Sequence, residues 1–436
     1  MKPHPYAMAA ALKAYALWML LACCSLSSCT LQPPTSDDQL GENTILKAKY
    51  ARPLKDIRFE PTAERLARGK YLVEGPLHCF QCHAGTYVVK PGEDPVVNDL
   101  GAGRRVIDRD TIQLYAPNIT SDKETGIGNF TDDMIARAIR EGVGYDGRAL
   151  HQRMPWYSYR HLSDEDLASV ICHLRTLPAI RNKIPKRKLP PSIESRLTTR
   201  PHPLEVAIPQ PNLDDKLMRG KYLISVAACR GCHTRLNNRK PGAYGGGAQM
   251  EAEVFTPNIS SHSTGVGAWP VETFKYTMRN GKGKSGSLNG IMPWPFFRNM
   301  SDEDLEAIYL ALMDTYPVNH LVLKGAPPTH CEVCNKEHGM GNQNKIEHPA
   351  TYNKNIDNLG ELAGKYINTI SAWDTINIKY DSGRLKIGNL ALNPINESQY
   401  FAEGTDAPVS FVRGEDGNIS GLEVYDLGMY LYERLK

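Results

Sequence analysis

Cys79, Cys82 and His83 stand as Cys-x-x-Cys-His, and Cys229, Cys232 and His233 repeat the pattern. The spacing has a chemical use. Two thiols three positions apart can add to the two vinyl groups of one porphyrin, and the adjacent histidine is then held under the iron as its proximal ligand. A bare Cys-x-x-Cys also suits a disulfide or half of a zinc site. The histidine that follows, the shared Arg-Gly-Lys-Tyr-Leu at 68–72 and 219–223, and the duplication favour two covalently bound haem c groups.

Each iron then needs a sixth ligand. Met154 and Met292 each precede Pro-Trp at the same place in their repeat. A thioether is soft and neutral and favours ferrous iron, so His/Met ligation raises the potential. The plainer reading of a methionine is core filler. His151 and His161 flank Met154 and compete for the role, but the second repeat has no histidine at matching positions. A third pair, Cys331 and Cys334, is followed by Asn335, a poor iron ligand. Three readings stay open for it. They are a local disulfide in an oxidising compartment, a zinc site with His338 and either His330 or His348, or a relic third haem. Cys172 is expected to be an unreactive thiol at a helix flank.

The positioning elements repeat in a fixed order. Thr62 is placed to cap a helix over 63–72 that leads into the first motif. Pro117-Asn118-Ile119 and Gly126-Ile127-Gly128 follow. Thr131 is placed to cap a helix ending at Gly142. Met154-Pro155-Trp156 comes next, then Ser163-Asp164-Glu165-Asp166, a capping-box pattern with Asp for Glu. Behind that cap, Leu167, Val170, Ile171 and Leu174 recur at helical spacing and make one buried face. The second repeat answers with Pro257-Asn258-Ile259, Gly265-Val266-Gly267, Met292-Pro293-Trp294 and Ser301-Asp302-Glu303-Asp304, with Leu305, Ile308, Tyr309 and Leu312 on the buried face. Two units of one fold explain this order.

Bulk properties are ordinary for a globular protein. The chain has 436 residues, 41% hydrophobic and 23% charged, and a net charge of +3, so nothing points to nucleic acid. The N-terminus starts with Lys2 and Lys13, then runs apolar from Ala14 to Leu26, too short to span a bilayer comfortably. It ends Leu26-Ser27-Ser28-Cys29, which resembles a bacterial lipobox. That resemblance implies cleavage before Cys29 and lipidation of its thiol. An ordinary secretory signal or an uncleaved anchor are the alternatives.

Pro-Asn-Ile-Thr, Gly-Ile-Gly, Asp146-Gly147-Arg148, Met-Pro-Trp and Leu162-Ser163-Asp164-Glu165-Asp166-Leu167 resemble the multihaem cytochrome c subunits of bacterial membrane-bound alcohol, aldehyde and gluconate dehydrogenases. The likeness covers roughly residues 60 to 316. It implies an electron carrier between a catalytic subunit and a quinone or terminal oxidase, with His83, Met154, His233 and Met292 on the two irons. Members often hold three haems, and this chain departs from that.

From Leu359 the texture changes. Tyr366–Asn368, Thr375–Tyr380, Arg384–Leu392, Val409–Arg413 and Leu422–Tyr425 read as short strands. This part weakly resembles the small β domain appended to β-lactamase-like proteins, on Gly364-Lys365-Tyr366, Val409 to Arg413 and Gly417 to Leu422. That implies a fold and no activity.

The expected fold is mainly α: two tandem class I cytochrome c domains followed by a small antiparallel, barrel-like β domain. The expected division is a lipoprotein signal peptide (1–28), a tether (29–57), cytochrome domain 1 (58–180) and a Pro-rich basic linker (181–212). Cytochrome domain 2 (213–317), a connector with Cys-x-x-Cys (318–356) and the β domain (357–436) follow. The linker's Arg181, Lys183, Lys186, Arg187 and Lys188 read as a solvated surface, or as a docking patch for an acidic partner. The expected function is electron transfer from a periplasmic or membrane dehydrogenase to a quinone or respiratory acceptor. The protein would sit lipid-anchored on the periplasmic side of a bacterial membrane, and would be a carrier or complex subunit rather than an enzyme by itself. A dihaem peroxidase, and a haem-based sensor or binding protein using the β domain, are the rivals.

Overall fold

The computed structural model describes residues 45–435 apart from 235–243, 252–253, 284–285, 323–328, 332–335, 339–357, 369–370, 395–397, 403–407, 415 and 426–428. Cys29 and Cys334 therefore lie outside the described residues. Cys331 ends the strand Thr329–Cys331, which pairs antiparallel with Lys336–His338; the side chains there are outside the description.

The first unit is built on a leading helix, Ala63–Glu74, and a closing helix, Asp164–Arg175. Thr62 caps the first by accepting from the Arg65 amide, and Ser163 caps the second by accepting from the Asp166 amide. The middle helix, Asp132–Glu141, is capped by Thr131 and stopped by Gly142 in the left-handed region, as its sequence predicts. The second unit repeats the plan with Lys216–Val226, Val271–Asn280 and Asp302–Met313. In both units the leading and closing helices cross at a glycine. A Cβ on Gly69 would stand 1.9 Å from the Ser169 carbonyl oxygen, and one on Gly220 would stand 1.9 Å from that of Ala307. Only glycine permits so close a crossing. This accounts for the glycine in both Arg-Gly-Lys-Tyr-Leu segments.

The expectation of a mainly α protein is wrong. Helix makes up only 30% of the structure, with eleven α-helices among the described residues, and the C-terminal part is a closed barrel of eight antiparallel strands. Two things hid the β content. The units carry short hairpins in their loops, such as Arg104–Arg109 with Ile112–Ala116, turned by the two residues Asp110-Thr111. The barrel also holds more strands than the five anticipated. Arg384–Leu392 is two strands, Arg384–Ile387 and Leu390–Pro394, broken at Gly388 with φ 58°. Gln399–Ala402 and Met429–Arg434 were not anticipated. The last of these pairs with the first, Gly364–Asn368, and closes the barrel, so no edge is left open. Tyr366, Tyr400, Phe411, Leu385 and Leu422 fill its interior.

The segment at 181–212, expected to be an extended linker, carries a helix at Pro191–Leu197, with Pro191 at its first position where a fixed φ suits it. Leu189 and Leu197 pack with Leu114 and Ala149 of the first unit. Residues 45–57 also lie along that unit: Arg52 bonds both Asp133 and Glu141, and Leu46 donates its amide to Glu194. Among the described residues no helix is long and apolar enough to cross a membrane.

The two units share their interface like for like. Tyr71 of the first donates to Asp304 of the second (2.5 Å) and accepts from the Ser301 amide (3.1 Å). Tyr222 of the second donates to Asp166 of the first (2.6 Å) and accepts from the Ser163 amide (3.3 Å). Each leading helix thus offers a tyrosine to the start of the other unit's closing helix. Tyr222, Val226 and Phe296 join the core of the first unit.

Candidate functional site

The two Cys-x-x-Cys-His segments lie on short helical turns, Phe80–His83 and Cys229–His233. Each histidine is buried and tied from behind. His83 Nδ1 is 2.8 Å from the Pro117 carbonyl oxygen, and His233 Nδ1 is 2.9 Å from that of Pro257. A carbonyl can only accept, so Nδ1 carries the proton and Nε2 keeps its lone pair. Burial holds both imidazoles below their ordinary pKa, which favours the neutral form. A neutral ring with an anchored Nδ1–H is the form that donates to a metal.

The carbonyls of Pro117 and Pro257 are the functional atoms the sequence did not reveal. Pro-Asn-Ile was legible as a repeated marker only. The structure gives each residue a task. Proline supplies the carbonyl and isoleucine lines the cavity. The asparagine pins the loop: Asn118 donates to Ile180 O (2.7 Å) and accepts from the Thr120 amide (2.9 Å), while Asn258 does the same with Val318 O (2.7 Å) and the Ser260 amide (2.9 Å).

Met154 and Met292 line the same cavity as the two histidines. Their loops are fixed by the tryptophan two positions on. Trp156 packs on Gly142 and Trp294 on Gly281, so closely that a Cβ at either glycine would fall 2.5 or 2.4 Å from the indole. His151 also lines the cavity, with its Nδ1 accepting from the Arg153 amide at 3.1 Å. In the second unit Asn289 Oδ1 accepts from the Ile291 amide at 2.8 Å. His151 therefore caps the turn that Asn289 caps in the other repeat. His161 is buried, and burial pushes it down to about 4. Cys172 is buried with its Sγ 3.5 Å from the Glu60 carbonyl, away from the cavity.

The four motif cysteines stand on the cavity wall and make no disulfide with one another. Burial pushes Cys79 and Cys229 up to about 12 and raises Cys82 and Cys232 as well. The cavity they share is continuous across both units and has a volume of about 2280 Å³. A site for one drug-sized ligand runs to about 300–1,000 Å³. The space therefore suits two large planar groups. The units touch at the motifs themselves: Gln81 donates to Ile291 O at 2.7 Å, Tyr87 donates to Gly290 O at 2.8 Å, and Tyr157 lies over Gly231.

No family model matches the chain. Among curated proteins, it is 28% identical over 285 residues to the fructose dehydrogenase cytochrome subunit of Gluconobacter japonicus, covering 61% of this chain and 55% of that one. It is 26% identical to the gluconate 2-dehydrogenase cytochrome c subunit of Pantoea cypripedii, with 61% and 64% covered. It is also 26% identical to the cytochrome c subunit of the quinone-dependent alcohol dehydrogenase of Gluconobacter oxydans, with 58% and 55% covered. The chain thus spans between about half and two thirds of the length of these relatives. Over about three fifths of its own length, this chain resembles the multihaem cytochrome c subunits of bacterial dehydrogenases.

Proposed function

We propose that this chain is an exported dihaem c-type cytochrome that takes single electrons from a dehydrogenase partner and passes them to a quinone or another respiratory acceptor. One haem c belongs to each of residues 58–180 and 213–317. The observation that carries the reading is the repeated pair of buried histidines, each with Nδ1 held by a proline carbonyl, in one cavity that the two Met-Pro-Trp methionines also line. Covalent haem supplies a one-electron iron couple at such a site.

The chain's own residues do the rest. Cys79 and Cys82, or Cys229 and Cys232, would hold the group covalently. His83 and His233 present Nε2 in one orientation. Met154 and Met292 offer a soft sixth donor. Apolar walls, among them Ile127, Ile135 and Val170 or Val266, Phe274 and Ile308, keep water away. With His83 and Met154, or His233 and Met292, both holding the group, no position would be left for bond chemistry on a substrate, which suits electron transfer. Two equivalent sites weigh against a dihaem peroxidase, which needs one open iron position. The relatives' names support a dehydrogenase as donor. The signal segment and Cys29 support export and a lipid anchor.

A pyridine haemochrome assay on denatured protein tests the reading, with two covalent haems per chain expected. A value of one sinks the tandem assignment, and three would place a haem on Cys331 and Cys334. Rapid turnover of hydrogen peroxide by the reduced protein would favour the peroxidase instead. For the anchor, Cys29→Ala should block maturation and acylation; normal processing with full membrane retention would refute it.

A further inference from the structure

The two halves of the cavity have matched walls and unmatched rims. Ile127, Phe130 and Ile135 line the first, where Val266, Trp269 and Phe274 line the second. Hydrogen bonds fix which rim residues correspond. Gly103 and Gly246 each donate to the carbonyl of their motif histidine at 2.8 Å, so the next residues, Arg104 and Gly247, are equivalent. Asn182 reaches the Ala102 carbonyl at 2.9 Å and His320 the Gly245 carbonyl at 2.7 Å, so Lys183 is equivalent to Leu321. Arg153 and Ile291 precede the two methionines. Three cations on the first rim therefore face glycine, leucine and isoleucine at the same places on the second.

Arg104, Arg153 and Lys183 line the cavity, and none has a carboxylate partner among the described residues. Arg148 and Arg181, by contrast, are neutralised by Asp146 and Glu124. Arg104 is half-buried, donates to the Gln81 carbonyl inside the first motif at 2.7 Å and lies 5.6 Å over the Tyr87 ring. The charge of Arg153 acts on Cys82 and Cys232 in the same direction, so it does little to distinguish the sites. Lys183 is exposed, so its field is weaker and screened by salt.

We infer that Arg104 and Lys183 give this cytochrome a fixed polarity: the first motif's site is the stronger electron acceptor, and an electron delivered to the second passes to the first. The inference rests on the two-haem reading above. Gaining an electron makes a site more negative, and an uncompensated cation beside it favours that change. Ligand types and apolar walls are matched between the halves, so those contributions largely cancel. The step moves one electron. The second site is oxidised, the first is reduced by the same electron, and no proton or further reactant enters.

Potentiometric titration of the holoprotein at low ionic strength, followed in the visible spectrum, should give two waves. Arg104→Gln should lower the higher wave, shifting the partition of the electron between sites by about tenfold, or about 59 mV for one electron. Arg104→Lys should restore most of it. Lys183→Leu should lower the same wave by less, and the effect should fade in salt. Leu321→Lys should raise the lower wave; this variant leaves the first motif untouched and carries the test if Arg104→Gln loses haem. Coincident waves in the wild type, or a shift of the lower wave on removing Arg104, would overturn the polarity. Fewer than two covalent haems in the wild type would overturn the underlying reading instead.

Discussion

The middle helix of the first unit begins Thr131-Asp132-Asp133, and that of the second begins Pro270-Val271-Glu272. The first start is a polar hub. Asp133 accepts from Arg52 and from the Lys55 amide, while Asp132 accepts from the Phe59 amide and from Arg175. Through these bonds the unit holds residues 52–59 across its surface. The second start has an apolar valine where Asp132 stands, and Glu272, where Asp133 stands, pairs with Lys275 of its own helix. Features kept in both units, the glycine crossing, the histidine tie and the tryptophan on its glycine, are those the site needs. Features present in one unit answer to its neighbours.

That division can be broken by mutation. The largest effect should come from a shared feature. Gly69→Ala and Gly220→Ala each drive a Cβ into backbone, so each should cost about 3 kcal/mol or more, and by similar amounts. Denaturant melts of the two variants check this; a mild loss at one site alone would show that the crossings are not equivalent.

A smaller and one-sided effect is expected at Arg52. Its side chain is 15% exposed and faces Asp133, which is fully buried, and Glu141. Arg52→Ala should cost about 2–3 kcal/mol by leaving buried carboxylates uncompensated. It should free residues 45–59 to hydrogen exchange while the second unit stays protected. The pH dependence has a definite sign. Burial works to raise the Asp133 carboxyl, but the Arg52 hydrogen bond and the Lys55 amide prevail and hold it below its ordinary value. Its contribution is therefore present above the unfolded carboxylate range, at about 3.9, and is lost as pH falls through the depressed folded value. Arg52→Ala should move the onset of acid loosening to higher pH. Glu141, raised by burial, acts in the opposite direction.

The smallest effects concern the reciprocal tyrosines. Tyr222 is buried and Tyr71 only partly so. A hydrogen bond to a charged group contributes about 1.5–3 kcal/mol, so Tyr222→Phe should fall in that range and Tyr71→Phe below it. Equal losses would mean the interface is more symmetrical than burial implies.

What was legible in the sequence follows from range. Thr62, Thr131 and Ser163 announce their helices because a cap is local, and Leu167, Val170, Ile171 and Leu174 announce a buried face because helical period is local. The motif residues were legible because their spacing is itself the chemistry. The partners they need were not. The Pro117 carbonyl lies 34 residues beyond His83, and nothing in a proline's identity marks its oxygen as an acceptor. Tyr71 and Tyr222 looked like parts of a repeated tag, although a tyrosine kept in both copies of a short helix is a signal of contact. Met429–Arg434 escaped notice because its sequence opens Met-Tyr-Leu-Tyr, apolar or aromatic at four successive positions, so the period of two is hidden.

The like-for-like tyrosine contact has one more consequence. Two identical subunits related by a dyad would make the same exchange of side chains, since such an interface uses one patch twice. In a dimer of that kind every substitution is written twice, and the two motif sites are bound to be degenerate. Joining the halves in one chain keeps the packing and removes the degeneracy. Arg104 can then stand where its counterpart is Gly247, and the two ends of a symmetrical device become distinguishable without any change in how they fit together.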